Sequence, residues 1–193
     1  MTKLLLRLFA FGDPQQPQTR AKTGKLSGTV GIVCNVLLFA MKLLVGILSG
    51  AVSITADAMN NLTDVASSLV TLVGFRMADK PADAHHPYGH ARAEYLSGLA
   101  VAVLILFIGF ELVKSSVTRI FRPEPVLFSP ALVTVLLISI GVKLWMCLFN
   151  TKLSAIIGSS ALQATAADSR NDCIATAAVL LSAMVEHYTA LPA

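Results

Sequence analysis

Ala56-Asp57-Ala58-Met59-Asn60-Asn61-Leu62-Thr63-Asp64 and Ala164-Thr165-Ala166-Ala167-Asp168-Ser169-Arg170-Asn171-Asp172 set polar side chains inside otherwise apolar sequence. The two stretches rhyme, as A-x-A-x-N-x-x-x-D and A-x-A-x-D-x-x-x-D. Residues four apart share one helix face, so Asn60 with Asp64, and Asp168 with Asp172, each present two oxygens in one direction. A carboxylate at a bilayer centre costs about 2.5–3.5 kcal/mol on insertion scales, and such residues mark an ion or proton path. Two such faces turned toward each other make a four-residue oxygen site.

Of the 193 residues, 55% are hydrophobic and 13% charged. A soluble domain carries about a quarter charged residues; the deficit comes from long apolar runs and points to an integral membrane protein. The net charge of +4 is spread along the chain, without the clustered basic surface of a nucleic-acid binder. Cys34, Cys147 and Cys173 lie far apart in apolar segments and read as packing residues. Neither an enzymatic reaction nor a cofactor is indicated.

The expected fold is all-α, a polytopic bundle of transmembrane helices. Five spans are expected at about residues 29–48, 52–73, 96–113, 130–148 and 161–185, each near the ~20 residues that cross a ~30 Å hydrocarbon layer. Residues 1–25 read as a cytoplasmic N-terminal arm, 26–187 as the membrane domain and 188–193 as a short tail. Ser49-Gly50-Ala51 reads as a tight turn, and Ser129-Pro130 as a helix start. Lysine and arginine set the orientation. Lys3, Arg7, Arg20, Lys22 and Lys25 precede the first span, Arg76, Lys80 and Arg92 follow the second, and Lys152 follows the fourth, with Lys143 one helical stretch before it. With alternating spans these regions share one side, the expected cytoplasmic one. Arg119 and Arg122 fall on the other.

A polar stripe that glues helices by hydrogen bonds, worth ~0.6 kcal/mol each in membranes, accounts for Ser and Thr. It accounts poorly for acidic residues at helical spacing on two segments. Asp57 lies nearer the polar end of its segment and reads as a capping or solvated carboxylate. Ala56, Ala58, Ala164 and Ala166 permit close helix approach. Arg170, between the two aspartates, points elsewhere and could pair with a carboxylate or reach a polar cavity. Three carboxylates and an amide form a hard-oxygen set, which suits manganese, magnesium or iron(II) better than zinc or copper. Carboxylates so close cannot all ionise without a cation, so protons compete with metal for the same oxygens.

A second cluster lies between the second and third spans. Asp83, His86 and His90 converge on one metal if the chain turns at Pro87-Gly89; otherwise they form an ordinary solvated loop. Lys42 and Glu111 read as paired or inward-facing charges, Lys114 as a residue that snorkels to the interface, and His187 as isolated.

In combination, Ser53 to Asp64, Pro81-Ala82-Asp83-Ala84-His85-His86-Pro87-Tyr88-Gly89-His90-Ala91-Arg92-Ala93-Glu94 and Ala164 to Asp172 resemble the cation diffusion facilitator family of divalent-metal exporters. The resemblance covers most of the chain from Lys25 to Val185. It implies a transported-metal site at Asn60, Asp64, Asp168 and Asp172, and supports a second at Asp83, His86 and His90. Zinc members usually carry histidine in place of Asn60 or Asp168; the pattern here resembles the manganese branch. The implied function is efflux of a divalent cation, manganese(II) first, by proton antiport. The implied partners are the lipid bilayer, the cation, protons and a second copy of the full-length protein, in a bacterial cell membrane. Iron(II), zinc or cobalt export, or a truncated membrane protein that does not transport, are the alternatives. An intramembrane aspartyl protease is a competing class, but its G-x-G-D pattern is missing. The family plan adds a sixth helix and a cytoplasmic ferredoxin-like metal-binding domain that aids dimerisation. The expected chain therefore has five of six spans and lacks that domain.

Overall fold

The computed structural model describes residues 17–49, 52–121 and 130–189. It folds as five α-helices: α1 (Pro17–Ser49), α2 (Val52–Ala78), α3 (Ala93–Phe121), α4 (Pro130–Ile157) and α5 (Ser160–Thr189). No strand occurs among the described residues. The chain is thus an all-α membrane helix bundle. Within it, Thr19–Leu48, Ala93–Glu111 and Pro130–Ile157 are long and apolar enough to cross a membrane. Helices α2 and α5 have 27 and 30 residues, about 40 and 45 Å of length. They have the reach, but the polar residues they carry lower their hydropathy.

The helices run past the spans expected from apolar length, because hydrocarbon thickness limits the apolar stretch and not the helix. Residues 17–25, expected in an N-terminal arm, are the first turns of α1, which opens on Pro17. Residues 1–16, the 50–51 link, Arg122 with Pro123-Glu124-Pro125, Ser129 and residues 190–193 lie outside the described residues.

One end of the bundle gathers the start of α1, the α2–α3 loop and the α4–α5 turn. Arg20 on α1 grips Glu94 on α3 through two contacts, Nε–Oε2 at 2.6 Å and Nη2–Oε1 at 2.7 Å. It also donates to the carbonyls of Ile157 and Gly158. Lys25 on α1 pairs with Asp79 after α2 at 2.5 Å. The three basic regions thus lie together, as alternating spans require.

The α4–α5 hairpin closes on Gly158, whose φ of 61° favours glycine. Ser159 then caps α5 by accepting from the Leu162 N–H at 3.4 Å, while Ser154 Oγ donates to its carbonyl at 2.8 Å. Antiparallel residues equidistant from such a turn sit at one height. Lys143 lies 15 residues before Gly158 and Asp172 lies 14 after it. The tight turn therefore places these two side by side, about 20 Å from it.

Two apolar clusters bracket that height. One joins Phe75 of α2, Phe149, Leu153 and Ile157 of α4, and Ala161 and Leu162 of α5. The other joins Ile54 of α2 to Leu132 and Leu136 of α4, with Val45 and Leu180 against them. Outward-facing Leu37, Ile47, Leu99, Leu106, Phe107 and Leu181 are exposed, a surface suited to lipid.

Helix α1 lies tightly on α2. A Cβ at Gly28 would stand 2.8 Å from Leu72 Cβ and 3.0 Å from its Cα and N. Backbone atoms cannot rotate aside, so only glycine allows this approach. Gly28→Val should therefore destabilise the bundle by about 1–3 kcal/mol, the usual cost of overpacking. Gly141→Val, where an added Cβ meets nothing within 4 Å, should change stability little. Thermal unfolding in detergent checks both, and equal midpoints would contradict the close approach.

Candidate metal centre

Asp64 on α2 and Asp168 and Asp172 on α5 bring carboxylate oxygens within 4.8 Å of one another. The i,i+4 phase puts Asp168 and Asp172 on one face of α5. Asp64 and Asp168 are buried, and Asp172 is partly so. Nearer the α4–α5 turn, Thr71 Oγ1 on α2 and Thr165 Oγ1 on α5 meet at 3.2 Å. These helices run antiparallel, so this contact clips them together beside the carboxylates. Ala58 and Ala166 are buried, the small residues that close approach needs.

The centre contains a residue that the sequence reading counted only among the basic residues near the fourth span. Lys143 on α4 is buried, with its Nζ 2.5 Å from Asp64 Oδ2 and 2.6 Å from Asp172 Oδ2. The ammonium thereby joins α2, α4 and α5. A single lysine within the apolar run of α4 was the available signal, since an ionisable group there needs a partner. Its distance from the hairpin turn would have named Asp172 as that partner.

Asn60 lies one turn before Asp64 on α2 and is exposed, in contrast to the buried aspartate. Asn61 beside it is buried and donates to the Asp57 carbonyl at 3.1 Å. Asp57 stands apart from the carboxylate cluster. It pairs with buried Lys42 of α1 at 2.8 Å, which corrects its reading as a capping or solvated group. The reading of Lys42 as a paired charge agrees with this contact. Glu111 is exposed, 3.9 Å from Lys114. Arg170 is exposed.

The α2–α3 loop brings a second set together. Ligand atoms of Asp83, His86 and His90 also lie within 4.8 Å of one another. Asp83 and His86 exchange backbone hydrogen bonds, each at 3.2 Å, and Gly89 turns the chain with a φ of 78°. The Asp83 carboxylate accepts from the His86 N–H at 2.7 Å and the His85 N–H at 3.0 Å. It stands 3.3 Å from His86 Nδ1 and 3.5 Å from His90 Nε2, and the two rings lie 4.4 Å apart. The bond from the His86 N–H is the main cause holding this carboxyl below the usual carboxylate range. Asp83 and His86 are exposed and His90 is half-buried. Mixed nitrogen and oxygen ligands suit borderline metals such as zinc, unlike the all-oxygen cluster in the bundle.

Comparison with known proteins places this chain in a family. Residues 28–193 match the description cation efflux transmembrane domain. The chain is 34% identical over 163 residues to the uncharacterized transporter YdbO of Bacillus subtilis, covering 83% of this chain and 55% of the relative. It is 33% identical over 153 residues to the manganese efflux system protein MneS of the same organism, covering 78% and 52%. It is 32% identical over 168 residues to the magnetosome protein MamM of Magnetospirillum gryphiswaldense, covering 86% and 52%. The chain thus spans about half the length of the curated relatives it matches.

The Asp83 carboxyl allows a pH test of the loop. Its value is lowered in the folded loop, so its stabilising effect is complete at neutral pH. That effect disappears as pH falls below the ordinary value of about 4 toward the lowered one. The His85 and His86 amide signals should shift together over this acidic range. Asp83→Asn should abolish that transition. An NMR titration of the amides checks both.

Proposed function

This chain belongs to the cation efflux family, and on that premise we propose that it exports a divalent metal cation, manganese(II) foremost, in exchange for protons. The observation that carries the reading is the cluster of Asp64, Asp168 and Asp172 inside the bundle, between two apolar layers. Carboxylate oxygens replace the water that a hard cation loses on entering. We assign Asn60 as the fourth ligand, an amide oxygen one turn from Asp64. The name of the Bacillus subtilis manganese efflux relative supports this choice of metal; iron(II), zinc and cobalt are the alternatives within the class.

The apolar clusters on either side of the carboxylates suit alternating access. Opening the Phe75–Phe149–Leu162 layer exposes the cation to the side of the α2–α3 loop. Opening the Ile54–Leu132–Leu136 layer exposes it to the other. On this reading the first side is the cytoplasm of a bacterial cell and the protein is multi-pass in its membrane; the basic residues at the α1 start, the α2–α3 loop and the α4–α5 turn support that orientation. Protons discharge the carboxylates after the metal leaves, because the oxygens cannot return across the membrane uncompensated. Lys143 neutralises one of the three charges, so fewer protons are needed than carboxylates. The exposed loop set at Asp83, His86 and His90 is a second metal site on the cytoplasmic face. The working form is a homodimer.

Reconstituted vesicles carrying a trapped manganese-sensitive dye test the transport. An outwardly directed proton gradient should drive manganese uptake, and an ionophore that collapses it should stop uptake. Asp64→Ala and Asp172→Ala should each lower manganese affinity by roughly 100-fold or more, beyond the range seen for groups that merely support ligands, and abolish uptake. Wild-type uptake in Asp64→Ala would overturn the site.

A nitrogen ligand added at Asn60 tests the fourth position. Asn60→His should raise the zinc-to-manganese affinity ratio by about tenfold, since imidazole favours zinc over manganese. Competitive titration of the two metals measures this, and an unchanged ratio removes Asn60 from the ligand set.

A further inference from the structure

We propose that the Lys143 ammonium is an internal cation that holds Asp64 and Asp172 until a divalent cation displaces it, so that Lys143 sets the affinity of the transport site. The inference rests on the three carboxylates being that site and deepens the reading.

The contacts make the two cations competitors. Lys143 Nζ lies 2.5 Å from Asp64 Oδ2 and 2.6 Å from Asp172 Oδ2. A metal bound by both carboxylates would need the same oxygens from nearly the same point. Two cations that close repel strongly in a medium of low dielectric constant. Helix α4 brings no carboxylate to the cluster, only the lysine. A tethered competitor acts at high effective concentration, so the metal must outbid it with double charge.

The cluster also suggests an order of events. Asp168 has no ion pair within 4 Å among the described residues, so its carboxylate is the one open to an arriving cation. Asp64 and Asp172 join as the ammonium withdraws. Its destination needs acceptor oxygens, and two serine hydroxyls stand one turn along the helices that carry the pair. Ser139 lies one turn before Lys143 on α4, about 5–6 Å away between Cβ atoms, and Ser67 lies one turn after Asp64 on α2. Both serines are buried, and neither hydroxyl has a hydrogen-bond partner among the described residues. A buried polar group without a partner is costly, and a displaced ammonium would satisfy it. The ammonium moves and does not lose its proton. Its return to Asp64 and Asp172 then helps expel the metal, which supplies what a carrier needs: binding firm enough to load and weak enough to release.

Two substitutions separate this role from a structural bridge. Lys143→Met keeps the length of the side chain and removes the charge. Lys143→Arg keeps a permanent charge and can fork both carboxylates. Manganese titration of the purified full chain in detergent, somewhat above neutral pH where protons compete least, should give about tenfold tighter binding in Lys143→Met. Lys143→Arg should bind about tenfold more weakly than the wild type. Asp64→Ala serves as the site control. Unchanged or weaker binding in Lys143→Met, with binding still abolished by Asp64→Ala, would overturn the proposal and leave the site standing. Wild-type affinity in Asp64→Ala would instead remove the site and the proposal together. If Lys143→Met does not fold, Lys143→Arg decides, because a purely structural bridge retains wild-type affinity there and an unchanged value overturns the proposal.

Discussion

Buried charge must be compensated where it lies, and the Lys143 ammonium against Asp64 and Asp172 is the contact on which the bundle turns. Removing one member of such a group leaves the others uncompensated at a cost of about 3–5 kcal/mol. That penalty fixes the heights of α2, α4 and α5 relative to one another. The tight turn at Gly158 makes the α4–α5 match possible, and the Thr71–Thr165 contact holds α2 against α5 beside it. Close packing of α1 on α2 at Gly28 then carries the first helix with them.

Charge is arranged in layers along the bundle. Arg20 and Glu94 close the end where the loops and basic residues gather. Lys143 and the aspartates occupy the middle, and Lys42 with Asp57 joins α1 to α2 toward the other end. The apolar cluster around Phe149 lies between the first two layers, and the one around Leu136 and Ile54 lies at the height of the third and beyond it. On the proposed transport reading, a cycle would break one apolar layer at a time while the central charges stay compensated, by lysine, proton or metal.

The two candidate metal sites differ in chemistry as they differ in place. The central one is oxygen-only, buried and shared between helices, so its ligands move when helices move. The loop set is local. Backbone hydrogen bonds between Asp83 and His86 hold it, and it is exposed. A cation there would leave the helix heights untouched, whereas a cation in the centre changes which charges α4 must answer.

The helical class and the shared face of Asp168 and Asp172 were legible in the sequence, because hydropathy and the 3.6-residue repeat are local properties of the chain. The loop cluster was legible as well, since its three residues fall within eight positions and turn on one glycine. The helix ends were less so: apolar length measures the bilayer, and α1 continues back to Pro17 beyond it. The pairings were decided only by the tertiary structure. Lys143 looked like one more basic residue, Asp57 like a solvated carboxylate, and Arg20 like part of an arm. Each acquired its partner from another helix 15 or more residues away in sequence. Which charge neutralises which depends on the relative heights and rotations of packed helices, and those exist only once the hairpin turns and glycine contacts have set them.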